Sequence, residues 1–196
     1  MTSLILHLIA VLSLMGFGEP LSWLRGGLSR LPGSTAAAPS DTPWSINLVT
    51  PGEPGEPLVV SGTVYRPDGK TPAAGIRLYV YQTDARGYYS EDHRGGNSDP
   101  RIRGWLTTDA RGRYMIRTIK PGSYPGSRNP SHIHSKVVLP GGKEQLIEEF
   151  QFADDPYISE KDRKKATGKG DVSPVMKVTR GDNGVLQCTR NIVLGE

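Results

Sequence analysis

The chain has 196 residues, 36% of them hydrophobic and 22% charged, which suits one globular domain with a real core and is short for two. Its 16 prolines and 24 glycines argue against a helix bundle. The formal charge is +4, and the one basic run, Lys161 to Lys169, has no aromatic residues among its cations, which argues against a nucleic-acid surface.

In chain order, the stretch from Leu4 to Phe17 is almost continuously apolar. It is shorter than the about 20 residues a helix needs to span a bilayer. It has the length of a signal-peptide apolar region, about 7–15 residues, although no basic residue precedes it. Residues 1–25 are therefore expected to be an export signal or a retained N-terminal anchor. That implies a periplasmic or secreted protein, membrane-associated if the anchor stays. The competing reading is a helix packed on the domain or on a partner subunit, which leaves the cytoplasm open. Residues 26–43, rich in Gly, Ser, Pro and Ala, read as a linker, and 44–196 as the folded domain.

Within the domain, Val59–Tyr65 alternates and is rich in β-branched residues, and Pro67-Asp68-Gly69 supplies a turn. Further strands are predicted at Ile76–Gln82, Trp105–Thr107, Tyr114–Thr118, His132–Leu139, Leu146–Phe152 and Val185–Leu194. Turn signals separate them at Asp109–Gly112, Lys120–Gly122, Pro140–Gly142 and Asp182–Gly184. No segment carries a 3.6-residue apolar period, so the pattern predicts an all-β, antiparallel sandwich or barrel. The single Cys188 excludes an internal disulfide and a cysteine-based metal site; its alternating surroundings read as a strand that buries it.

The chemistry concentrates at Pro130-Ser131-His132-Ile133-His134. Alternation along a strand puts His132 and His134 on one face, their stems roughly 7 Å apart, where two imidazoles can share an ion. The domain holds one other histidine, His93. Two tyrosines stand in turns nearby: Tyr89 in Gly87-Tyr88-Tyr89-Ser90, and Tyr124 between Gly122 and Pro125. A zinc or copper enzyme completing the His pair with Glu149 or His93 is one reading of these residues. A non-catalytic binding module is another, because Val60–Tyr65 and Ala74–Val80 share the pattern of transthyretin-like domains.

The run Arg103–Pro125 followed by Pro130–His134 resembles the core of the intradiol ring-cleavage dioxygenases, the family of the catechol and protocatechuate dioxygenases. Tyr81–Ser90 is similar to the family segment that ends in its first iron-binding tyrosine, and its spacing selects Tyr89 over Tyr88. Phe152–Pro156 and Gly184–Leu194 match later family strands, so the likeness runs from Leu58 to Leu194. It implies a β-sandwich with long loops forming the site and Fe(III) bound by Tyr89, Tyr124, His132 and His134. Two phenolates suit this hard ion, which stabilises their deprotonated form.

The resemblance further implies a catechol-type substrate that binds as a dianion and displaces Tyr124, whose phenolate takes up a proton. O2 then opens the ring between the two hydroxylated carbons, giving a muconate-type diacid. Two positions depart from the family. Its usual Arg falls at Asn129, with Arg128 one residue earlier, so Arg128 is the expected catalytic and substrate-facing cation. Its Gln falls at Glu149, expected to contact substrate as a carboxylate. A homo-oligomer is compatible with the sequence.

Overall fold

A computed structural model describes residues 42–93, 96, 97, 99–164, 166 and 172–196; the expected signal or anchor and nearly all of the linker lie outside the described residues. The chain divides into Met1–Arg30, also outside them, and Leu31–Glu196. Among the described residues no helix is long and apolar enough to cross a membrane.

Among the described residues eleven strands follow in order: β1 Ser45–Asn47, β2 Pro57–Tyr65, β3 Arg77–Gln82, β4 Ile102–Thr107, β5 Arg113–Ile119, β6 His132–Val138, β7 Glu144–Phe152, β8 Val175–Met176, β9 Thr179–Arg180, β10 Leu186–Thr189 and β11 Ile192–Val193. One sheet runs β1-β5-β2-β10-β9, with β11 also on β2, and the other runs β4-β3-β6-β7-β8. The central pairs β2–β5, β3–β4, β3–β6 and β6–β7 are antiparallel, as the alternation predicts. The peripheral strands β1, β8, β10 and β11 join in parallel, which long connections permit.

Alternate residues of both sheets meet in the core. Val60 and Val64 of β2, Leu78 and Val80 of β3, Ile133 and Val137 of β6, and Phe150 and Phe152 of β7 are all fully buried there. Each such side chain contributes about 1.5–3 kcal/mol relative to exposure. The opposite face of the second sheet carries a separate aromatic cluster of Tyr79, Tyr81 and Tyr89, with Trp105 and Tyr124 against it.

The predicted strand Val185–Leu194 is two strands, β10 and β11, both hydrogen-bonded to β2. The break falls at Arg190-Asn191, where the Arg190 carbonyl turns in against Gly62 and accepts a 2.5 Å bond from Tyr114 Oη. A Cβ at Gly62 would lie 1.8 Å from that oxygen, so the crossing requires glycine. Asn191 Oδ1 takes the Thr63 N–H at 2.9 Å in place of a strand carbonyl. The short strands β1, β8 and β9 and the one-turn helix α1, Glu160–Arg163, capped by Ser159, were not legible as apolar periodicity.

Cys188 is buried in β10, as its alternation predicts, and burial pushes its thiol up to about 12. Native protein should be inert to a thiol-reactive disulfide reagent at pH 8 and react fully once unfolded in guanidinium. Equal rates in the two states would place this thiol at the surface.

Candidate metal centre

The loop after β3 and the loop after β5 are fastened to each other before either reaches its tyrosine. Gln82, fully buried at the end of β3, donates to the Ile119 carbonyl at 2.9 Å and accepts from Thr118 Oγ1 at 3.0 Å. Thr83 Oγ1 donates to the Gly122 carbonyl at 2.9 Å, and the Gly122 N–H donates to the Asp84 carbonyl at 2.9 Å. The Asp84 carboxylate accepts the N–H groups of Arg86 and Tyr88 at 2.9 and 3.0 Å, closing the turn that delivers Tyr89. Gly87 and Gly122 let the two backbones touch. A Cβ on Gly87 would lie 2.0 Å from the Ser123 carbonyl oxygen, and one on Gly122 would lie 2.5 Å from the Ala85 carbonyl oxygen.

The histidines come from the start of β6. Ser131, just before it, is held by Asp155, whose carboxylate oxygen accepts from Ser131 N and Oγ at 3.0 and 2.7 Å. His132 Nδ1 lies 2.7 Å from the Pro130 carbonyl, so Nδ1 carries the proton and Nε2 presents its lone pair to the tyrosines. His134 packs flat on Tyr81, with ring centroids 4.5 Å apart and planes 16° apart.

Four donor atoms converge. Tyr89 Oη lies 2.6 Å from Tyr124 Oη and 2.9 Å from His134 Nε2. Tyr124 Oη lies 2.9 and 3.2 Å from the Nε2 atoms of His132 and His134, which are themselves 3.1 Å apart. An ion about 2.0–2.2 Å from each donor has neighbouring ligands roughly 2.8–3.5 Å apart, so four of these five separations suit a shared ion as they stand, and the 2.6 Å phenol pair has only to open slightly. The protonation states fit as well. Burial, followed by the neighbouring His132, lowers His134 to about 4, so its imidazole stays neutral and able to ligate at neutral pH. Burial raises the Tyr89 phenol well above its usual value, with Tyr124 adding to the effect, and burial likewise raises Tyr124. Two phenols packed Oη to Oη and both averse to ionising need a cation before either becomes an anion.

The family described as Dioxygenase matches residues 32–196. This chain belongs to the intradiol dioxygenases. It is 34% identical over 146 residues to the protocatechuate 3,4-dioxygenase beta chain of Burkholderia cepacia, which covers 69% of this chain and 62% of that one. It is 34% identical over 128 residues to catechol 1,2-dioxygenase 1 of Acinetobacter lwoffii, covering 56% and 40%. The chain thus spans less than two thirds of the length of these relatives. Among solved structures, the dioxygenase domain of a dioxygenase carbohydrate-binding protein fusion from Streptomyces sp. SirexAA-E superposes with a TM-score of 0.57 at 30% identity, covering 84% of this chain and 96% of that one. Catechol 1,2-dioxygenase from Acinetobacter sp. ADP1, at 22% identity and a TM-score of 0.60, shares the fold over 82% of this chain and 59% of its own.

This dioxygenase chain therefore brings Tyr89, Tyr124, His132 and His134 to one point, and Tyr89 reaches it where Tyr88 does not. Tyr88 stacks instead on His93, centroids 4.0 Å apart, which keeps His93 out of the cluster. Glu149 does join it: Oε1 lies 3.4 Å from His134 Nδ1 and 3.7 Å from His132 Nε2. Arg128 and Asn129 are exposed in the turn between Tyr124 and β6, and the polar contacts of the cluster do not include them. Tyr81, buried in the aromatic cluster, is the residue at the site that sequence reasoning did not single out. It sits directly opposite His134 in the β3–β6 register, so knowledge of strand pairing would have found it.

Proposed function

We propose that this chain is an iron(III) dioxygenase that opens catechol-type rings between their two hydroxylated carbons, both atoms of O2 entering a muconate-type diacid. The observation that carries the reading is the convergence of two phenol oxygens and two imidazole nitrogens, in which Tyr124 Oη and His134 Nε2 each lie within 2.6–3.2 Å of the other three donors. Hard, anionic phenolates suit iron(III), whereas a zinc or copper site built on His132, His134 and Glu149 leaves both tyrosines without a role. When bound, iron(III) supplies the Lewis acidity that holds catechol oxygens as anions and readies the ring for O2.

The two tyrosines have different freedom. Tyr89 is buried, and its turn is locked by Asp84. Tyr124 is half-buried and followed by exposed Pro125 and Gly126, the latter at φ 72°. Tyr124 is accordingly the one that swings aside for substrate, its Oη accepting one of the two catechol hydroxyl protons and the other passing to solvent, while Tyr89, His132 and His134 stay in place. Tyr81 holds the His134 ring from behind during this exchange. Arg128, on the rim turn, offers positive charge to the electron-rich ring.

The test is turnover of the iron-loaded protein on catechol, protocatechuate and hydroxyquinol, with O2 uptake and product identity followed together. We expect a burgundy protein whose colour shifts on addition of catechol, and one O2 consumed per ring opened. A colourless zinc protein, or a red protein that consumes no O2 with any of the three, would overturn the proposal.

A further inference from the structure

Resting on that metal reading, we infer that Glu149 is a fifth protein donor at this centre, so that the ion meets three anionic ligands instead of two. The fold itself turns Glu149 toward the histidines. On β6 and β7, Ile133 pairs with Phe150 and Ser135 with Ile147, leaving Glu148 and Glu149 together opposite His134. This is a β-bulge, which re-aims side chains and recurs beside active sites. Period-2 alternation cannot put both Ile147 and Phe150 on one face, yet both pack into the core. The extra residue absorbs the mismatch, and Glu149 comes out on the face of His132 and His134.

Distance and charge agree. Ligand atoms of His132, His134 and Glu149 all lie within 4.8 Å of one another. Two atoms bound to one ion at about 2.0–2.2 Å are at most roughly 4.4 Å apart, and Oε1 is 3.7 Å from His132 Nε2, the atom that faces the tyrosines. Among the described residues the basic side chains within 4.0 Å of the Glu149 carboxylate are these two imidazoles, while Lys136 pairs with Glu144 at 2.9 Å. Its side chain is 39% exposed, which leaves it room to rotate toward the ion. Two phenolates leave one of three positive charges unbalanced, and a neutral glutamine, which the resemblance implies for the family at this position, could not balance it. A carboxylate at this position balances it within the protein.

The experiment compares iron(III)-loaded wild type, Glu149→Gln and, as control, the exposed neighbour Glu148→Gln. Affinity is read by competition with nitrilotriacetate, and solvent access to the metal by broadening of the ferric electron paramagnetic resonance signal in 17O-enriched water. We expect wild type and Glu148→Gln to be unbroadened. Glu149→Gln should be broadened and bind iron about 10–100-fold more weakly. Wild type broadened as much as Glu149→Gln would overturn the assignment, including the case in which Glu149 acts only on His134 Nδ1. Absence of the tyrosinate-to-iron band from all three proteins would instead overturn the iron reading, and this inference with it.

Discussion

Replacing Tyr89 with phenylalanine should remove more than half of the tyrosinate-to-iron absorption and lower iron(III) affinity by more than about 100-fold, since losing even a hydrogen-bond partner behind a ligand costs about 10–100-fold. The phenol is buried, and burial holds it in the protonated form when no cation is present. Its ionisation is therefore coupled to metal binding, and deleting the oxygen removes an anion that no nearby group replaces. Tyr124 keeps its contacts to both histidines, at 2.9 and 3.2 Å, so a residual band should remain. The fold should survive, because the ring still packs against Tyr81 and the loss is two hydrogen bonds, to Tyr124 and His134, each worth about 0.5–1.5 kcal/mol. Tyr88→Phe should leave the spectrum intact, since that ring lies against His93. An unchanged spectrum in Tyr89→Phe would reassign the ligand.

The substitution Gly87→Ala should damage the metal centre severely although it alters none of the donors. Gly87 sits at φ 90°, and its Cβ position is 2.0 Å from the Ser123 carbonyl oxygen and 3.1 Å from Pro125. The left-handed backbone costs about 1–2 kcal/mol for a residue with a side chain. Forcing a methyl into closed packing adds about 1–3 kcal/mol. For a domain of this size a loss of about 2–5 kcal/mol lowers Tm by roughly 5–15 °C. The strain is released where the two loops touch, so Tyr89 and Tyr124 should separate and iron binding should weaken beyond what the fall in Tm accounts for. Comparing iron affinity well below Tm with that of Gly69→Ala separates the two effects. Gly69 has a similar φ of 66° but open space around its Cβ position, so it carries the backbone cost without the collision. Equal iron affinity in the two variants would show that the contact between the loops does not position the tyrosines.

Much of the second sheet was legible along the chain. In β6, apolar Ile133 and Val137 alternate with His132 and His134, and a half-buried strand with that pattern puts both imidazoles on one side whatever the rest of the fold does. The tyrosine loops were legible as turns because Gly87, Pro121, Gly122 and Pro125 punctuate them. The short strands β1, β8 and β9 were not, because two or three residues cannot display a period and owe their shape to the strand they pair with.

Local sequence determined the strand alternation, the shared face of His132 and His134, and the burial of Cys188, because each depends only on the period of one segment. Tertiary structure decided the rest, because each remaining feature is a contact between segments far apart in the chain. The 2.6 Å approach of Tyr89 to Tyr124 depends on Gln82, Thr83 and Asp84 gripping the loop after β5. The stacking of Tyr81 on His134 depends on the β3–β6 register. The place of Glu149 beside the histidines depends on a single extra residue in β7, which alternation within that strand alone could not locate.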